Sequence, residues 1–177
     1  MLRNQMIPVV IPSRAKLPLC SCCGFNLNFA YLKSYAGLLK ILQLIIAGLC
    51  KSLLMNFGLK YASLIGFSYD AFLTTISGSV ITTTVLLLTY IWSENSMRLV
   101  RSSLLEVFFN GSTCLNFIGS CSWLLLTIHT FLYPDFLAIP FFFIYPIMVA
   151  VNILGFLLSL IYGIDCYLAY KYYKGYR

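Results

Sequence analysis

The chain has 177 residues, 60% of them hydrophobic and 10% charged, with mean hydropathy +0.89 and a net charge of +7. So few charges leave no room for a soluble domain with its own core beside the apolar segments. The positive excess does not read as a nucleic-acid footprint, because the basic residues flank apolar stretches rather than share one soluble face, so no nucleic-acid partner is expected.

Residues 1–31 form a short leader. Pro8, Pro12 and Pro18 interrupt it and it lacks a continuous apolar run, so it is not a signal peptide, and the first apolar helix is expected to act as an uncleaved anchor. Cys20, Cys22 and Cys23 stand as a C-S-C-C cluster ahead of that helix. Juxtamembrane cysteines of this kind are acylation candidates. They can also remain unmodified, or ligate a metal, although no second Cys/His pair at finger spacing follows. No metal or cofactor is expected.

Four apolar stretches follow, over 35–56, 72–91, 104–131 and 141–167. Each reaches the roughly 20 residues that a helix needs to cross a bilayer. The predicted fold is all-α: a polytopic membrane protein whose four transmembrane helices form an antiparallel bundle over 32–169. Arg3, Arg14, Lys16 and Lys33 precede the first helix, Arg98 and Arg101 lie between the second and third, and Lys171, Lys174 and Arg177 follow the fourth. Lys60 alone falls in an outer loop. The positive-inside rule therefore places both termini in the cytosol, with 170–177 as a basic-aromatic tail along the headgroups. No cysteine lies in an outer loop, which argues against a disulfide-dependent ectodomain.

The first outer loop, 58–70, has room for a turn or two. The second, 133–146, holds Pro134, Pro140 and Pro146 around an apolar aromatic run, so the start of helix four is open and part of the loop can be re-entrant. The sequon Asn110-Gly111-Ser112 lies inside helix three and is not expected to carry a glycan. Tyr61, Tyr69, Tyr133 and Tyr145 mark the outer face, and Tyr90, Trp92, Tyr167, Tyr170, Tyr172 and Tyr173 the inner one, as aromatic belts.

Ionisable residues inside a span are costly and usually have partners. Lys40 in helix one, Glu106 in the first turn of helix three and Asp165 in the last turn of helix four fall at one depth near the basic end. A Lys40–Glu106 or Lys40–Asp165 contact is predicted, with Gln43 nearby, acting either as a structural latch or as an ion pathway. Lys51 and Asp70 form a second, outer pair of charges. Gly155, Ser159 and Gly163 make a small-xxx-small ladder on helix four, which permits close helix packing. Thr75, Gly78, Ser79 and Thr82 on helix two, and Thr113, Asn116, Ser120 and Thr127 on helix three, read as further packing seams. Cys114 and Cys121 read as small packing residues, Cys166 as a secondary acylation candidate and His129 as a hydrogen-bonded interface residue. No phosphate loop, dinucleotide motif or nucleophile with a base is present, so no catalytic residue is assigned.

Gly37, Leu39 and Gln43 in helix one, Glu106 and Asn110 opening helix three, and Gly155, Phe156, Tyr162 and Asp165 in helix four together resemble the MARVEL domain, over about residues 32–173. The chain lacks the cysteine-bearing outer loop of physins and the coiled-coil tail of occludin-like members. The resemblance implies a non-enzymatic membrane organiser in vesicle trafficking, membrane apposition or cell–cell fusion, including myoblast fusion after adhesion. It also implies residence in the plasma membrane or trafficking vesicles, with membrane lipids and other membrane proteins, or a second copy, as partners. A chaperone acting through helix–helix contacts, or a small pore or carrier, are the alternative readings.

Overall fold

The computed structural model describes residues 29–138 and 143–175. The leader cysteines Cys20, Cys22 and Cys23 lie outside these residues. Every described element is helical: α1 (Phe29–Leu32), α2 (Tyr35–Leu53), α3 (Ala62–Ile65), α4 (Phe67–Trp92), α5 (Glu94–Ser102), α6 (Leu105–Thr127), α7 (Tyr133–Ala138) and α8 (Ile144–Tyr173).

Four stretches are long and apolar enough to span a membrane: Tyr35–Ile65, Phe67–Trp92, Leu105–Ala138 and Ile144–Tyr173. All four end beyond the predicted stretches: the second by a single residue, the fourth along the basic-aromatic tail to Tyr173, and the first and third into what reads as outer loop. After α2 the chain stays helical through a π turn, Leu54–Gly58, and a 3-10 turn, Leu59–Tyr61, before α3. The expected outer loop over 58–70 is therefore a helical extension, closed by one sharp turn at Gly66 with φ +65° and ψ −140°. A second π turn, Ile128–Leu132, carries α6 into α7. Pro146 falls in the first turn of α8, where a missing N–H costs no helix bond, and Pro134 directly follows the π turn, where the ladder is already interrupted.

α8 packs most extensively on α6 and then on α2, while α4 packs on both α2 and α6. The result is a four-cornered up-and-down bundle in which the last helix closes against the first. The buried positions explain it. In α4 they include Tyr69, Phe72, Ile76, Ser79, Thr83, Leu86 and Tyr90, beside Ser68, and in α6 Glu106, Asn110, Thr113, Phe117, Ser120 and Leu124, beside Cys121. These alternate by three and four residues, the spacing of left-handed bundle seams. Leu42, Ile45, Val85, Leu115, Leu126 and Leu160 face outward instead, as they do where the surrounding solvent is lipid.

The middle of the bundle is aromatic. Phe117 stacks on Tyr162 at 5.9 Å and meets Phe72 edge-on at 6.3 Å, and the Tyr162 hydroxyl lies 2.7 Å from Thr83 Oγ1. Gly155 admits α8 to this core: a Cβ there would lie 2.6 Å from Cys121 Sγ and 2.8 Å from Phe72 Cε2. Ser159 donates to the Cys114 carbonyl at 3.2 Å. At Gly163 the nearest atom to such a Cβ would be Cys114 Sγ at 3.6 Å, an ordinary contact.

Two aromatic-belt assignments need correction. Tyr69 and Tyr90 are 2% and 0% exposed, packed into the core rather than turned to the headgroups. At the far end, Tyr133, Tyr145, Phe136 and His129 stack together, and the Tyr145 hydroxyl approaches His129 Nδ1 at 3.5 Å.

Candidate functional site: a buried polar cluster at the basic end

Three turns of local structure set the cluster up. Ser34 caps α2, accepting from the Gly37 amide at 3.2 Å while its hydroxyl donates to the Tyr31 carbonyl at 2.6 Å. Gly37 lies so close to that carbonyl that any side chain would collide with it. The tight bend folds Tyr31 back onto Tyr90, ring edge to face at 5.2 Å. It also aims the buried face of α2, carrying Lys40 and Gln43, at the start of α6 and the end of α8.

Lys40 is fully buried. Its Nζ lies 2.7 Å from Asp165 Oδ2 and 3.6 Å from Glu106 Oε1, and donates to Asn110 Oδ1 at 3.0 Å. Gln43 Nε2 donates to the same Asp165 oxygen at 3.1 Å. The structure thus brings Lys40, Gln43, Glu106 and Asp165 together, with Lys40 contacting both acids. Arg101 of α5 reaches in from the end, its Nε 3.5 Å from Glu106 Oε2. Two cations face two carboxylates, so their formal charges balance. An isolated charge at this depth would cost several kcal/mol; pairing is what makes the arrangement tolerable.

Two phenols border the acids. Tyr31 and Tyr90 are both buried and feel the charge of Glu106. Burial first, and the Glu106 carboxylate second, hold the Tyr31 phenol above its usual range, so it is a hydrogen donor at neutral pH. The Tyr31 hydroxyl, Asn110 Nδ2, Gln43 Oε1 and Asp165 Oδ1 make no hydrogen bond among the described residues. The cluster therefore holds more donors and acceptors than its direct contacts use.

Asn110, Arg101, Tyr31 and Tyr90 were not in the predicted set. Asn110 stands in a glycan sequon, yet its side chain is buried against Lys40. Lys51 and Asp70 form no ion pair with each other among the described residues; Asp70 is exposed. Cys166 is half-buried and points at the Val107 carbonyl, 3.4 Å away.

The hydroxyl stripes of α4 and α6 are less closed than the expected seams. Thr75, Gly78, Ser79 and Thr82 line an open groove with Ser112 and Asn116, about 560 Å³ in volume. Asn116 is exposed there, some 11 residues and about 16 Å into α6. Ser79 and Thr113 are buried at the groove's floor.

Compared with known proteins, the chain is similar to Protein singles bar of Drosophila melanogaster. The two are 37% identical over 158 residues, which cover 89% of this chain and 88% of the relative. No family model matches the chain, and no solved structure matches it.

Proposed function

The chain belongs to the family of Protein singles bar, and from that premise we propose that it is a non-enzymatic organiser of membranes that prepares cell–cell fusion. The observation that carries this reading is the similarity itself, which runs through all four spans and nearly the full length of both chains. The MARVEL resemblance supplies the direction, vesicle delivery or membrane apposition, and the similarity to Protein singles bar supplies the setting, myoblast fusion after adhesion.

The geometry supports a scaffold. The charged groups inside the bundle are paired with one another at one end, and the middle is filled by aromatic rings. A bundle locked in this way presents a fixed outer surface to lipid and to neighbours. The basic end, with Lys33, Arg98, Arg101, Lys171 and Lys174, faces the cytosol in this proposal, and acylation at Cys20, Cys22 and Cys23 would add an anchor on the same side. A C-terminally tagged chain in fusing muscle precursors should concentrate at cell contacts or in vesicles beside them. Uniform membrane staining throughout fusion would count against the proposal.

One observation favours a second reading, regulation of another membrane protein by helix contact. The groove between α4 and α6 exposes Asn116 near mid-membrane, where an amide gains from a partner helix. Under that reading Asn116→Leu removes partner capture while the protein still accumulates; unchanged co-purification from crosslinked cells would reject it.

A further inference from the structure

Beside the polar cluster a cavity of about 370 Å³ opens at the basic end between the first turn of α2, α5 and the last turns of α8. Arg101, Lys171, Tyr172, Leu168, Tyr35 and Ser34 line it. Two of these are cations, and no acid is among the lining residues. Arg101 forms the wall shared with the cluster. Its side chain is 14% exposed, its Nε lies 3.5 Å from Glu106 Oε2, and its guanidinium packs 4.9 Å from the centre of the Tyr172 ring. Glu106 engages only one edge of the fork, leaving the other donors of a five-donor group to the cavity. Lys171 stands six residues past Asp165, about 9 Å further along α8, where it adds a mobile point charge opposite the rigid fork.

The remaining walls are not those of a soluble anion site. Leu168 and Tyr35 continue the cavity into the outward face of the bundle, and Tyr35 is 81% exposed. Tyr167, 67% exposed, lies on α8 beside them. A ligand seated here meets positive charge at the end of the helices, an aromatic wall at Tyr35, the first residue of α2, and apolar surface at Leu168, about one turn nearer mid-membrane than Lys171. That order of polarity matches one molecule type: a phosphate head with acyl chains below it.

We propose that this cavity binds the phosphate of an anionic glycerophospholipid between Arg101 and Lys171, with its glycerol and acyl chains lying along Leu168 and Tyr35. The lipid and Glu106 then share Arg101. Occupancy draws the guanidinium toward the phosphate and is felt by Glu106, and through it by Lys40. The bundle's basic end is thereby tied to the composition of the leaflet around it.

The test uses the full chain in nanodiscs of phosphatidylcholine doped with phosphatidic acid, with lipids retained on the released protein counted by native mass spectrometry. Selective retention of phosphatidic acid is expected. Lys171→Gln should reduce it about tenfold, the size of a lost charge-assisted hydrogen bond. Arg98→Gln removes the same charge from exposed α5 surface outside the cavity and should leave retention nearly unchanged. Arg101→Gln should also abolish retention, but it touches Glu106, so Lys171 is the deciding position. Equal losses in Lys171→Gln and Arg98→Gln would overturn the site in favour of diffuse surface charge. Displacement of the lipid by inorganic phosphate at equal concentration would overturn the lipid as ligand in favour of a free anion, and retention of phosphatidylcholine as strongly as phosphatidic acid would overturn it as well.

Discussion

Lys40 is the residue on which the basic end turns. A fully buried ammonium is stable only because Asp165, Glu106 and Asn110 surround it. Replacing Lys40 with Met leaves Asp165 buried without a cation and Glu106 with Arg101 alone, and should cost about 3–5 kcal/mol. Adding Asp165→Asn should recover a large part of that loss, because the charge then left over is Glu106, which still has Arg101. Thermal unfolding of the purified chain in detergent reads both, and strictly additive losses would refute the coupling. Asn152 makes the opposite case. It is 1% exposed, and neither of its side-chain amide atoms has a hydrogen-bond partner among the described residues. Asn152→Leu should be neutral or stabilising by about 1 kcal/mol in the same assay. Lys40, Glu106 and Asp165 were legible in the sequence because an ionisable residue inside an apolar run stands out and three at one depth must meet. Asn110 and Arg101 were not. An uncharged amide in a sequon, and an arginine in what reads as a connecting loop, carry no mark of burial until the fold turns them inward. Tyr90 was misplaced for a related reason: a tyrosine at a span's end reads as an interface anchor whichever way its ring points.

Among the elements, α8 shows how small residues divide their work. Gly155 and Ser159 sit at the α6 contact, whereas Gly163 borders an outward apolar groove with Gly111 and Cys166. The ladder looks uniform in sequence, but only part of it is tightly packed. Gly155→Leu should destabilise by about 1–3 kcal/mol through overpacking against Cys121 and Phe72, and Gly163→Ala by less than about 0.5 kcal/mol, measured as shifts in unfolding temperature. Gly66 carries a different constraint. Its positive φ with ψ near −140° is a backbone region that a Cβ makes costly, so Gly66→Ala should lose about 1–3 kcal/mol and loosen the α3–α4 turn. The spans themselves were plain from apolar length. Their extensions are not, because 57–65 and 132–138 carry Lys60, Pro134 and Asp135 and read as loops. Helical backbone continues past the apolar run without any apolar signal to mark it. α5 escaped notice for the same reason: its sequence is polar, yet Ser93 caps it and Met97 and Val100 pack on the Tyr31–Tyr90 pair.

At the scale of the molecule, polarity is arranged inside out relative to a water-soluble bundle. Paired charges and hydroxyls lie within, and Leu, Ile, Val and aromatic side chains cover the outside. Such a body has a basic end and a long lipid-facing perimeter, surfaces that suit the proposed role in ordering membranes. With an even number of spans the two ends should lie on one side, so tags at residues 1 and 177 should share protection from protease in sealed vesicles; opposite accessibility would refute the four-span reading. The function itself is reached most directly by deleting the gene in muscle precursors that normally fuse and scoring nuclei per cell. The expected result is precursors that recognise and adhere to one another yet stay mononucleate, with fusion restored by the intact chain. Multinucleate fibres of normal size and number in the null animals would contradict the proposed role in fusion.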